Sequence, residues 1–211
     1  MYKIIGYYIC QLVETPKFLD NISDKMLSVS GCFGCVHPDL TQCFFQNNMD
    51  KKEYRNVLKL DDTKLSLLQD EIGRLFEKDI AIDGRFLNKE DAQYLCETYF
   101  SALNCIVVSV STTEEYFEIL KMVLLNSSNG KSTPMSSNVD ENEGIGFDII
   151  GWDISGFHSF LCNNLQKELS NARFNECALL ANTFEEVEKF AHQIAGKGEP
   201  VEWIPCRIGM C

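Results

Sequence analysis

Residues 88–124, NKEDAQYLCETYFSALNCIVVSVSTTEEYFEILKMVL, indicate a helix, a strand and a second helix in succession. The first helix begins at Asn88, and the β-branched run from Cys105 to Val110 is typical of a strand. Thr112 and Glu115 have the spacing of a capping box, which predicts the start of the second helix. Apolar residues at helical spacing support both helices. They are Ala92, Leu95, Cys96 and Tyr99 in the first, and Phe117, Leu120, Val123 and Leu124 in the second.

Similar signals predict further elements towards both ends of the chain. Thr15 and Pro16 favour the start of a short helix that reaches Met26. Thr183 and Glu186 form a second capping box, and Gly196 and Gly198 end the helix that follows it. We expect strands over residues 1–13, 105–110, 144–153 and 200–210, and helices over residues 16–26, 61–79, 184–195 and, in part, 155–169.

Helices and strands alternate without a strict strand-helix-strand rhythm, which favours an α+β fold over a doubly wound parallel sheet. We expect a mixed or antiparallel sheet, or two such sheets, with helices packed on one face. Residues 126–143 contain almost no apolar side chains and are typical of a flexible polar loop or linker. The sequence therefore favours two small lobes, residues 1–125 and residues 144–211.

Composition and charge restrict the partners. The chain has 211 residues, of which 45% are hydrophobic, and a formal net charge of -12. This charge excludes a nucleic-acid backbone or an anionic membrane surface as a favourable partner, whereas it favours a basic protein. No apolar run is long enough for a membrane helix. Because ten cysteines occur without a secretory signal, we expect reduced thiols and a cytoplasmic protein.

One cysteine cluster offers an alternative function. Cys32 and Cys35 are separated by two residues, with His37 and Cys43 nearby. Thiolates and imidazole at such spacing bind zinc, so these four residues are the candidate metal ligands. Zinc is therefore the alternative cofactor, while unpaired structural thiols remain the simpler interpretation.

A second cluster combines polar and aromatic residues. Its candidate partner-binding residues are Asp148, Trp152, Asp153, His158 and Asn163. His158 and Cys162 would share one face of a helix, and with Asp153 they suggest a nucleophile, a base and an orienting acid. The neighbouring sequence contains no nucleophile elbow or oxyanion loop, so we assign no catalytic residue.

Three segments carry a family resemblance: GFDIIGWD at 146–153, FHSFLCN at 157–163, and FN at 174–175 with GEPVEW at 198–203. Over residues 146–211 the chain resembles small bacterial proteins that are grouped with toxin-immunity proteins. This resemblance implies an acidic cytoplasmic protein that binds and neutralises a partner without catalysis.

Three hypotheses follow. The first is a non-enzymatic cytoplasmic binding protein, an immunity-type inhibitor of a basic protein partner. The second is a cysteine- or zinc-dependent protein that uses the Cys32, Cys35, His37 and Cys43 loop. The third is a scaffold protein that dimerises through a free sheet edge or through Trp152 and Trp203.

Overall fold

The computed structural model contains one antiparallel sheet with helices packed against it. The residues that it describes are 1–14, 25–28, 55–56, 58–76, 78, 85–125, 138–139, 144–153, 156–159, 165, 168 and 180–211.

Within these residues the chain forms four helices and seven strands. The helices are α1 (Asp62–Phe76), α2 (Lys89–Tyr99), α3 (Glu114–Leu125) and α4 (Phe184–Ile194). The strands are β1 (Tyr2–Glu14), β2 (Lys25–Ser28), β3 (Cys105–Thr113), β4 (Asn138–Val139), β5 (Gly144–Asp153), β6 (Gly156–Ser159) and β7 (Glu202–Met210).

The strands form a sheet in the order β2-β1-β3-β7-β5-β6, and β4 also pairs with β1. Every pairing between these strands is antiparallel. The predicted α+β class is confirmed, since in the described part of the chain helices accompany a sheet whose strand pairings are all antiparallel.

The sheet continues across the predicted lobe boundary. Strand β3 pairs with β7 from Val108 opposite Met210 to Ser111 opposite Arg207. Strands from residues 1–125 and from residues 144–211 thus share backbone hydrogen bonds. Of the predicted linker, the described residues are Asn138 and Val139, which pair with Lys3 and Tyr2 of β1.

Helices cover both faces of the sheet, where the sequence indicated one. Tyr8 and Ile9 are neighbours on β1 and therefore point to opposite faces. Tyr8 packs in the cluster under α3, whereas Ile9 packs in the cluster under α1 and α2. A third cluster joins α4 to Ile149 of β5 and Trp203 of β7. Each fully buried large apolar side chain in these clusters stabilises the fold by about 1.5–3 kcal/mol.

Local signals at the helix ends are confirmed in most places. The Asn88 side chain accepts a hydrogen bond from the Glu90 backbone at 2.9 Å, and Thr183 accepts one from Glu186 at 3.3 Å. Gly196 follows α4 with a φ of +72°, which glycine adopts without strain. The capping role of Thr112 is wrong, because α3 begins at Glu114 and the buried Thr112 hydroxyl donates to the Pro205 carbonyl at 2.7 Å.

Two segments differ from the predicted helices. Met26 lies on β2, although the rest of the helix predicted over residues 16–26 lies largely outside the described residues. Residues Gly156–Ser159 form β6, which pairs with β5 in a hairpin. None of the described helices is long and apolar enough to cross a membrane.

Candidate functional site

A groove of about 870 Å³ lies between α3, α4 and the adjoining ends of β5 and β7. Its volume falls in the range that binds small molecules or the side chains of a docked segment. The described residues that line it are Tyr116, Ile119, Val123, Trp152, Asp153, Ala191, His192, Ala195, Gly196, Pro200, Val201, Glu202, Trp203 and Ile204.

Tyr116 joins the two helices that form the walls of the groove. Its hydroxyl donates to Glu188 Oε1 at 3.1 Å and lies 3.4 Å from His192 Nε2. Its ring also meets Phe184 edge to face, with ring centroids 6.1 Å apart. Burial, followed by the hydrogen bond to Glu188, raises the pKa of Tyr116 to about 12, so this phenol stays neutral. Tyr116 therefore has a structural role, in which it connects α3 with α4.

Both tryptophans of the sequence line the groove. Trp152 is fully buried and Trp203 is 6% exposed, so their rings belong to the groove wall and the core behind it. The Trp203 indole N–H donates to the Lys197 carbonyl at 3.3 Å. Gly151 makes room for this arrangement, because a Cβ atom there would lie 2.6 Å from Val201 Cγ2 and 3.0 Å from Trp203 Cζ3.

The surroundings of the groove are strongly acidic. Helices α3 and α4, residues 195–202 and Asp153 together carry nine carboxylates and three lysines. Two of these lysines already pair with acids: Lys121 with Glu118 at 2.8 Å, and Lys197 with Glu168. Among the described residues that line the groove are Asp153 and Glu202 but no lysine or arginine. The groove thus combines an apolar floor with negative charge.

The structure brings three of the predicted partner-binding residues together. Trp152 and Asp153 line the groove, and His158 Nε2 lies 3.4 Å from Asp153 Oδ2. The complete burial of Trp152 means that it does not present a surface to a partner or to a second copy of the chain. Asn163 lies outside the described residues.

Asp148 occupies a different environment from the groove. It lies on β5 opposite Cys206 of β7, and its Oδ1 accepts a hydrogen bond from the Ile149 backbone at 2.7 Å. Burial raises the pKa of the Asp148 carboxyl to about 7, although the hydrogen bond from Ile149 opposes this shift. Burial also raises the pKa of the Cys206 thiol, and the Asp148 charge adds to the effect.

The structure does not support the helix on which the catalytic arrangement of Cys162, His158 and Asp153 was based. That arrangement required His158 on a helix, whereas His158 lies on β6. Cys162 falls outside the described residues. Burial raises the pKa of Cys96 and raises that of Cys105 to about 12, which opposes formation of the reactive thiolate.

The candidate zinc ligands Cys32, Cys35, His37 and Cys43 lie outside the described residues. In the part of the chain that the structure does describe, no three histidine, cysteine or carboxylate side chains are grouped as metal ligands would be. The zinc hypothesis therefore remains a prediction.

Sequence reasoning missed Tyr116, Glu188 and most of the groove lining. These residues lie on helices that are separated by about sixty positions in the sequence, and no local pattern links them. The available signal was the shared composition of the two helices, since each begins with adjacent glutamates and continues with an apolar stripe. The chain matches no protein-family model, no curated protein and no solved structure.

Proposed function

We propose that this chain is a non-enzymatic binding protein, an immunity-type inhibitor that takes a basic segment of a partner protein into the groove between α3 and α4. The observation that carries the proposal is the groove itself, with its apolar floor and acidic frame. Apolar contacts supply affinity once water is displaced, and complementary charge selects the partner and speeds its approach.

The charge distribution supports a cationic segment as the occupant. Asp153 and Glu202 lie in the lining, while Lys121 and Lys197 nearby are engaged by Glu118 and Glu168. A lysine or arginine of the partner would therefore meet the carboxylates of Asp153 and Glu202 in the lining. An acidic segment would meet repulsion at the same place.

The buried surroundings of four described thiols and phenols support a role without catalysis. An enzymatic thiol or phenol is normally activated by a lowered pKa or an adjacent base. Burial is the first cause of a raised pKa for Cys96, Cys105, Cys206 and Tyr116. These groups are shifted away from reactivity.

We also propose a cytoplasmic location. Among the described residues, Cys96, Cys105 and Cys206 carry free thiols. Free thiols in such number are typical of a reducing compartment.

Site-directed photocrosslinking tests the proposed function. A photoreactive phenylalanine derivative replaces Met122, which is 61% exposed on α3 beside the groove-lining Val123. The control position is Leu67, which is 53% exposed on α1. In cells of the source organism, we expect the probe at 122 to capture a basic protein that the probe at 67 does not capture.

A second step separates the groove from the rest of the surface. The captured protein is purified and mixed with the chain and with its Glu202→Lys variant, and we expect the variant to bind about tenfold or more weakly. Equal capture from both positions, or a partner that binds the variant as well as the original chain, would contradict the proposed function.

A further inference from the structure

The turn between α4 and β7, residues 195–201, forms one edge of the groove, and we call it the lip. Ala195, Gly196, Pro200 and Val201 of the lip line the groove. Gly196 and Gly198 have φ angles of +72° and +73°, a conformation that other residues adopt only with strain. The lip is a tight turn whose own side chains bury little surface, so contacts with other elements must hold it.

His158 makes the contact that joins the lip to the opposite strands. Its Nδ1 atom lies 2.6 Å from Glu199 Oε2 on the lip, and its Nε2 atom lies 3.4 Å from Asp153 Oδ2 on β5. The first contact has the length of a hydrogen bond, whereas the second is longer, and the buried Nε2 atom of His158 makes no hydrogen bond within the described residues. The His158 side chain is 19% exposed, so solvent screens these contacts only in part.

Two further side-chain contacts on the lip involve Lys197, and neither includes Asp153 or Glu202. The Trp203 indole donates to the Lys197 carbonyl, and the Lys197 ammonium pairs with Glu168. His158, in contrast, contacts Glu199 on the lip and also Asp153, whose carboxylate lines the groove. This bridge therefore affects both the shape and the charge of the site.

We infer that His158 is a positioning residue, which holds the lip through Glu199 and keeps Asp153 directed at the groove for a cationic partner. The inference rests on the proposed function for its consequence in binding. The imidazole ring carries its two nitrogens on different edges, so that one side chain approaches Glu199 with Nδ1 and Asp153 with Nε2. A glutamine at this position donates from a single nitrogen and cannot bridge them.

Amide hydrogen exchange on the free protein tests this inference without any partner. The reporters are the Lys197 amide, which donates to the Ile194 carbonyl at 2.9 Å, and the Val201 amide, which donates to the Glu199 carbonyl at 2.8 Å. In His158→Gln we expect both amides to exchange about tenfold faster, while amides of α1 and α2 keep their rates.

A double-mutant cycle distinguishes a bridge from general loosening. Glu199→Gln alters an exposed side chain and should speed exchange as His158→Gln does. The double variant should exchange no faster than either single variant, because the bridge can be lost only once. In His158→Arg we expect partial recovery of protection, since a guanidinium group also donates to two carboxylates. Unchanged exchange in Glu199→Gln, or additive effects in the double variant, would overturn the inference.

The consequence for binding is measured separately with a lysine-leucine peptide. We expect His158→Gln to weaken binding of this peptide about three- to tenfold. If the peptide fails to bind the original chain, the proposed function fails, while the exchange data still decide the role of His158. If His158→Gln exchanges faster but binds the peptide with unchanged affinity, His158 holds the lip but does not position the site, and the inference is overturned.

Discussion

Asp148 lies on β5 opposite Cys206, and burial there raises the pKa of its carboxyl from an ordinary 3.8 to about 7. Between these two values the folded chain binds a proton that the unfolded chain has released. The free energy of unfolding therefore falls as the pH rises through this window and stays reduced above it. Asp148 lowers stability at neutral and alkaline pH.

Asp148→Asn removes this penalty with little change in shape. We expect the variant to gain about 1–3 kcal/mol in free energy of unfolding at pH 8, discounted for partial exposure, and a clearly smaller gain at pH 5. Urea unfolding at the two pH values measures the gain. Asp70→Asn on the exposed side of α1 is the control, for which we expect no comparable change. An equal gain at both pH values would contradict the assigned burial effect.

At the scale of an element, β1 depends on a close approach between two distant segments. Its register shifts at Ile4 and Gly6, and the buried Arg85 side chain crosses the strand there and donates to the Ile5 carbonyl at 3.3 Å. A Cβ atom on Gly6 would overlap the Cγ and Cδ atoms of Arg85. Gly6 is therefore required by packing.

The same substitution at two glycines should have opposite effects. Gly6→Ala displaces the buried Arg85 stem, and we expect a loss of about 1–3 kcal/mol in free energy of unfolding. Gly73→Ala lies on α1, where nothing stands within 4 Å of the added Cβ, and we expect a gain of about 0.5–1 kcal/mol from helix propensity. Thermal and urea unfolding measure both variants. A Gly6→Ala protein as stable as the original would contradict the packing described for β1.

The elements with strong local signals were predictable, and long-range contacts account for the differences. Helices start beside Asn88 and Thr183 as expected, and Thr183 caps its helix as expected, because a helix start depends on residues only a few positions away. Thr112 has the same local pattern, yet its hydroxyl bonds to Pro205, 93 positions further along the chain. The groove depends on contacts of this kind, such as that between Tyr116 and Glu188, so its lining could not be deduced from spacing.

For the whole molecule, charge was the most informative property of the sequence. The net charge of -12 indicated a basic partner, and in the structure the carboxylates of Asp153 and Glu202 line one groove. Composition could not reveal that acidic side chains lie beside an apolar groove floor. The groove forms because the pairing of β3 with β7 places α3 and α4 on the same sheet. The binding proposal thus depends on the continuity of the sheet.

Intrinsic tryptophan fluorescence tests this proposal most directly, because both tryptophans line the groove. The chain is titrated with a peptide in which lysine and leucine alternate, and with a matched peptide of glutamate and leucine. We expect a saturable change in emission with the lysine peptide only, weakened about tenfold or more when salt rises from about 50 to about 500 mM.

The decisive comparison is between two double variants with the same change in net charge. Asp153→Lys with Glu202→Lys reverses charge in the groove, whereas Glu90→Lys with Glu97→Lys reverses it on the exposed side of α2. We predict that the first variant loses binding of the lysine peptide and that the second retains most of it. Equal loss in both variants, or unchanged emission in the original chain, would contradict a groove that recognises a basic segment.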